Sequence, residues 1–457
     1  MGSPVVDVAA QLEAKAAAFV KEQRVAGASV GIVHGESLVW SAGIGSADVA
    51  ANRTPEATTL YRIASITKTF TGTAIMQLRD RGRLDLDDAA VTFIPELRDA
   101  SSLFGPIETV TIRRMLSHES GLAGDPPGTD WALPSYEGDV NRNLARVSEM
   151  GTRIPPSSQQ KYSNLAYQLL GEIVARVSGV PYVEHVRREI IEPVELHGTA
   201  FEPLPEPLLD RRATGYALAS LTDELAVASV SPAVGAEGGL WSCLEDLGRW
   251  ISFHMGSTGS HLDTVLDAST LEEMHRPRYL GDEAWTEAWG IAWYARRRDD
   301  VIWIQHGGSI HGFKADVCFD PKERIGAIAL LNGDADASRL SMDLATVARA
   351  AVLASVPKIE PATPRPEAYR PLLGLYIDPE SGWVIRLEWR DGKLTIVDPT
   401  NPTWRPTFSS TNDPDVFAVD AGVRESGEPA FIQWLPDGRV ASMFFAAQTW
   451  TRLGPVT

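Results

Sequence analysis

The sequence predicts an α+β chain: one antiparallel sheet, assembled from distant parts of the chain and covered by helices, followed by a small all-β domain. Three observations carry this. Strand-like runs and helical patterns occur at both ends of the first 356 residues. Pro357, Pro361, Pro364 and Pro366 then crowd into a linker. Beyond it come short strands and turns, with Asp391-Gly392 and Asp437-Gly438 as hairpin signals. The expected division is residues 1–356, a linker 357–366, and a barrel or sandwich over 367–457.

An Ala-rich amphipathic pattern from Met1 to Val25 predicts a first helix, and two apolar runs, 28–33 and 38–44, predict a hairpin packed on it. From Ile66 the apolar residues Phe70, Ala74 and Leu78 recur at helical spacing as far as Gly82. A short helix is expected over 111–116, ending at Ser117-His118-Glu119-Ser120-Gly121. Residues 123–156 are rich in Gly, Pro and polar side chains and read by default as a surface excursion, of a length that often borders a site. Tyr162-Ser163-Asn164 opens a second strong helix with Leu165, Leu169, Ile173 and Val177 on one face and Gly179 as its stop. Ser242-Cys243-Leu244-Glu245 reads as a capping box for a third, behind a turn at Gly238-Gly239. Runs at 301–306, 313–319 and 325–331 read as consecutive strands, and a closing helix is expected over 338–353.

Of the 457 residues 44% are hydrophobic and 22% charged, as in ordinary globular proteins. A net charge of -18 argues against nucleic acid or an anionic membrane surface as the main partner. Cys243 and Cys318 lie far apart without metal-ligand spacing, so neither a disulfide framework nor a metal site is expected, and no cofactor is called for. The first 25 residues have no continuous apolar core of signal-peptide type, and no later stretch reaches membrane-spanning length. The expected location is therefore cytoplasmic.

Chemistry concentrates where the helix after Tyr61 begins. Ser65 and Lys68 are one turn apart on one face, which sets an amine beside a hydroxyl and beside helix-terminal N–H groups that lack partners within the helix. Ser-x-x-Lys also occurs at Ser158/Lys161 and Ser355/Lys358, but only the first pair opens a long apolar-faced helix. Alone, Ser65 reads as a helix N-cap and Lys68 as a solvated first-turn residue. Two further features change the balance. Tyr162-x-Asn164 is unique in the chain and also sits at a helix start, and His306-Gly307-Gly308-Ser309 ends a strand whose edge offers backbone N–H groups. His254-x-Gly256 lies in a helical stretch and is the weaker match.

In this order and context the motifs resemble the serine penicillin-recognising family, in its branch of class C β-lactamases and low-molecular-weight penicillin-binding proteins. The resemblance spans about residues 6–356 and includes Leu116 to Leu122 and Gly238 to Ser242 as landmarks. It implies that Ser65 attacks an acyl carbon to form an acyl-enzyme. Lys68 and Tyr162 would share the proton transfers, with Lys68 lowering the phenol's pKa, and Asn164 would hold Lys68 and a substrate carbonyl. The oxyanion would rest on the N–H groups of Ser65 and Ser309. One departure matters: His306-Gly307-Gly308 stands where Lys-Thr-Gly is usual, so a fixed cation for a substrate carboxylate is not assured.

The β tail resembles the lipocalin-like domain of penicillin-binding-protein-type thioesterases, which release and macrocyclise nonribosomal peptides. Arg452 reads either as a surface arginine on a last strand or, through this resemblance, as the match of a C-terminal arginine that helps those enzymes bind the substrate's end. The expected substrate is thus a peptidyl thioester, with the carrier protein of a nonribosomal peptide synthetase as partner. The alternative is a serine hydrolase of the same fold: an esterase, a D-amino-acid peptidase or amidase, or a weak β-lactamase.

Overall fold

The computed structural model describes residues 3–127, 144–218, 225–228, 235–256, 264–355, 366–420 and 424–455. The chain divides into two compact units, Met1–Val356 and Pro357–Thr457. The proline-rich stretch, apart from Pro366, lies outside the described residues.

In the first unit, helix α1 (Ala9–Gln23) buries Leu12, Ala16, Phe19 and Val20, one apolar stripe at helical spacing, and ends where Arg24 turns left-handed at φ 56°. Strands β1 (Gly27–His34) and β2 (Ser37–Gly45) form the expected hairpin. The late strands are β3 (Tyr279–Leu280), β4 (Glu287–Trp289), β5 (Tyr294–Arg298), β6 (Val301–Ile310), β7 (Phe313–Asp320) and β8 (Ile325–Leu331). Among the described residues they make one antiparallel sheet in the order β2-β1-β8-β7-β6-β5-β4-β3. The two ends of the unit meet where β1 pairs with β8, Ala28 opposite Leu331 and His34 opposite Ile325.

Every residue of β8 is buried, as a strand covered on both faces requires. One face packs against α1 and the closing helix through Val30, Ile32, Leu331 and Leu344. The other packs against a larger helical layer containing Phe70, Ile75, Leu169 and Trp250. Strands β3 to β5 were not expected from the sequence. They are short, and Arg296, Arg297 and Arg298 occupy three of the five positions of β5, which masks a period-2 pattern.

The capping box at 242–245 does not form. Cys243 is the N-cap of the helix Leu244–His254 and makes no side-chain cap bond. Ser242 instead ends a strand, Leu240–Ser242, that pairs with Tyr61–Arg62, and its hydroxyl lies 2.8 Å from that of Thr199. Strand pairing thus took the residue that local spacing assigned to a cap.

The second unit is a closed eight-stranded antiparallel barrel running from Gly374–Ile377 to Gln448–Gly454, each strand beside its sequence neighbours. The last strand closes on the first, with Tyr376 opposite Arg452. Tyr376, Leu387, Ile396, Phe408, Phe445 and Trp450 fill its interior. Asp391 (φ 52°) and Gly392 (φ 77°) form a two-residue hairpin loop between Arg390 and Lys393.

Candidate functional site

Ser65 is placed by an abrupt change of backbone direction. The strand Tyr61–Arg62 ends, Ala64 adopts φ 43°, and a 3₁₀ turn over Ala64–Ile66 leads into helix α2, Thr67–Asp80. A left-handed alanine costs about 1–2 kcal/mol. The surroundings hold it: all residues of α2 from Thr67 to Leu78 are buried, and Phe70 stacks on Trp250 with ring centroids 4.0 Å apart.

Lys68 is fully buried. Its Nζ lies 3.0 Å from Ser65 Oγ, 2.8 Å from Asn164 Oδ1 and 2.6 Å from the carbonyl oxygen of Glu237. It also sits over the Tyr162 ring at 5.0 Å and the Tyr167 ring at 5.5 Å. Burial pushes its pKa down to about 7, against the opposing carboxylates of Glu237 and Asp125.

Tyr162 and Asn164 flank the N-cap of helix Asn164–Ser178. The Ser163 hydroxyl accepts from Ala166 N–H at 3.0 Å, so the cap that starts the helix also fixes its two neighbours. The Tyr162 phenol hydrogen-bonds Ser65, and burial raises its pKa. The expected lowering by Lys68 is therefore not found: desolvation of the phenolate, joined by the carboxylates of Asp125 and Glu237, outweighs the hydrogen bond to Ser65. Asn164 Nδ2 donates to Asp125 Oδ1 at 2.7 Å.

The motif His306-Gly307-Gly308-Ser309 occupies the end of β6. Strand β5 pairs only with residues 301–305, so from His306 onward one edge of β6 is left without a strand neighbour. Gly307 N–H turns to that edge and donates to Tyr294 Oη at 2.9 Å. By strand alternation Ser309 N–H points the same way. Gly308 makes the close approach possible: a Cβ there would lie 2.0 Å from Ile63 O and 3.2 Å from Ser65 N. The strand thereby rests against the backbone of the turn that carries Ser65.

His306 is buried, and burial together with Lys68 pushes its pKa down to about 3. It is a neutral imidazole at neutral pH, with Nδ1 2.7 Å from Gly307 O. The strand therefore presents no fixed cation at this position.

Ser65, Tyr162, Asn164 and residues 306–309 line one cavity of about 940 Å³. Glu237, Trp289, Tyr294, Arg296, Lys314 and Ser338 complete parts of its wall. Arg452 belongs to the barrel, where its Nη2 donates to Leu373 O at 3.0 Å. His254 packs against Trp250, His275 and Trp293 in the core. Among the described residues no group of His, Cys, Asp and Glu is arranged to hold a metal ion. Nor is any described helix long and apolar enough to cross a membrane.

Sequence reasoning gave no role to His118, Glu237, Trp289 or Tyr294. His118 stacks on Tyr162 at 4.2 Å, and its Nδ1 accepts from Ser163 N–H at 3.0 Å. Its φ of 58° is the signal that marks it, and that is a structural observation.

Protein flp of Staphylococcus aureus is 25% identical over 315 residues, 68% of this chain and 61% of that protein. This chain thus spans about three fifths of the length of such relatives. Among solved structures, the octameric penicillin-binding protein homologue from Pyrococcus abyssi superposes with a TM-score of 0.64 at 23% identity, covering 97% of this chain and 99% of that one. SurE superposes with 0.60 at 21% identity over 97% and 99% of the two chains, and has also been solved with D-Leu. A D-stereospecific amidohydrolase from Streptomyces sp. gives 0.61 at 23% identity over 74% of this chain and 98% of its own. The family model described as Beta-lactamase matches residues 12–351, which contain Ser65, Lys68, Tyr162 and the strand at His306, and the chain belongs to that family.

Proposed function

We propose that this chain is a serine acyltransferase that takes a peptidyl acyl group onto Ser65, releases its thiol carrier, and passes the acyl group to the peptide's own amine. The observation that carries the acyl-enzyme reading is Lys68: a fully buried amine, 3.0 Å from Ser65 Oγ, with its pKa pushed down to about 7. When neutral, that amine donates to Asn164 Oδ1 and Glu237 O and turns its lone pair to the Ser65 hydroxyl.

Proton transfer to Lys68 frees Ser65 Oγ to attack the acyl carbon. The oxyanion accepts from Ser65 and Ser309 N–H, the C–S bond breaks, and the Tyr162 phenol supplies the thiolate's proton and recovers one from Lys68. Attack by an amine reverses the sequence: the C–N bond forms, the ester bond to Ser65 breaks, and Oγ takes a proton back. Tyr162 suits the donor's part because burial keeps the phenol protonated.

Two things support the finer reading. The likeness to SurE extends over 97% of this chain, including the barrel, and D-Leu accompanies one SurE structure, which points to a D-residue at the acyl end. A carrier protein of a nonribosomal peptide synthetase is then the partner. The second reading is a hydrolase of D-amino-acid amides or esters, favoured by the likeness to the D-stereospecific amidohydrolase. Neutral His306 weighs against efficient β-lactam hydrolysis on either reading.

Mass spectrometry decides between them, using a peptidyl thioester with a D-residue at its acyl end and a free N-terminal amine. A Ser65-dependent product lighter by one water than the linear acid supports the cyclase. Linear acid alone, across several peptides, makes the chain a hydrolase; no turnover and no acylation of Ser65 removes both readings.

A further inference from the structure

Glu237 is buried in the wall of the Ser65 cavity, and its carboxylate has no part in the chemistry above. Its two ends reach different partners. The backbone carbonyl accepts from Lys68 Nζ, and the carboxylate accepts a short hydrogen bond from Gln168 Nε2. Gln168 stands one turn after Asn164 on the same helix, hence on the same face, and Asn164 supplies another acceptor to Lys68. Two of the three acceptors that hold the Lys68 amine thus come from separate elements, Gly235–Gly238 and Asn164–Ser178, and the Gln168–Glu237 bond ties those elements together.

We infer that Glu237 is a positioning residue for Lys68: tied to Gln168, it fixes two of the three acceptors that hold the amine. The inference rests on the proposed role of Lys68 as the base for Ser65.

The groups that face Lys68 bear on this. Ser65, Asn164 and the rings of Tyr162 and Tyr167 touch it, and Asp125 stands behind Asn164. His118 and His306 are both held neutral by burial and by Lys68 itself. The carboxylates that oppose the desolvation of Lys68 are Glu237 first and Asp125 second. Asp125 is exposed and water screens it, whereas Glu237 is buried, where a charge acts more strongly. Tyr162 and Tyr182 feel the same carboxylate, and it raises the proton affinity of both.

The test needs no knowledge of the natural substrate. The rate at which a fluorophosphonate labels Ser65, read by intact mass across pH 5 to 10, reports the free base that activates the hydroxyl. In Glu237→Gln the acid limb of that profile moves about one unit toward lower pH, because a charge that favoured the ammonium form is gone. Glu237→Asp keeps the limb where it was. A purely structural role predicts slower labelling with an unmoved limb, and an unmoved limb in folded Glu237→Gln overturns the inference. If Glu237→Gln does not fold, Glu237→Ala is read in the same way. Lys68→Ala separates this from the underlying reading: if Ser65 still labels with the wild-type limb in that variant, Lys68 is not the base and the proposed function falls first.

Discussion

At Lys68 the cost and the use of one side chain are the same quantity. Burial that leaves the amine free to accept a proton also removes stability whenever the amine is charged in the unfolded chain. The folded value, about 7, lies below the ordinary 10.5. Between these values the unfolded chain binds more protons than the folded one, so stability rises with pH across that window and the full cost is present below it. Lys68→Met is therefore expected to stabilise the fold on the acid side of neutrality by an amount on the order of a few kcal/mol, seen as a higher Tm, with the gain shrinking toward pH 10. It also abolishes labelling of Ser65. Thermal melts at pH 6 and pH 10 check the first outcome and intact mass the second. In the wild type, labelling climbs with pH through about 7, since the free amine is the working form. Ser65→Ala removes labelling at every pH.

Between elements, the decisive contact is the end of β6 against the turn at Ser65. Gly308→Ala places a methyl carbon 2.0 Å from Ile63 O, so the strand has to withdraw from that turn. The expected result is a loss of about 10²–10³-fold in labelling, the scale of one misplaced oxyanion donor, in a protein that still folds. Tyr294→Phe leaves Gly307 N–H without its acceptor and is expected to cost about 1 kcal/mol, measured by denaturant unfolding. These contacts also show where sequence reading succeeds. The helices that begin near Ser65 and at Asn164 write their own periodicity, and the second also its Ser163 cap, so Ser65, Lys68, Tyr162 and Asn164 could be picked out and are found together. His118 and Glu237 could not be, because their importance comes from what distant segments pack against them. At Ser242 local spacing misled, since pairing with Tyr61 outweighed the cap. At Arg452 a family likeness suggested a substrate contact, and the guanidinium is bonded to the carbonyl of Leu373.

For the whole molecule, the two units have separate cores, one pair of clusters within residues 5–352 and one within the barrel. Residues 1–356 produced alone are therefore expected to label at Ser65 within about threefold of the full chain, because Lys68, Tyr162, Asn164 and β6 all lie inside that unit. A collapse of labelling in the shortened chain would show that the barrel shapes the small-molecule site. The pairing of β1 with β8 has a further consequence, for the time before the protein is complete. His34 leaves the ribosome long before Ile325, its partner across the sheet. At 5–20 residues per second the wait is roughly 15–60 s. Through that interval β1 carries an apolar strand edge with no mate, while the Ser65 helix behind it already seeks a core. Until the last sheet strand emerges that edge stays open to wrong pairings, and the Ser65 site, which needs β6 beside it, is complete only when synthesis of this unit is almost over.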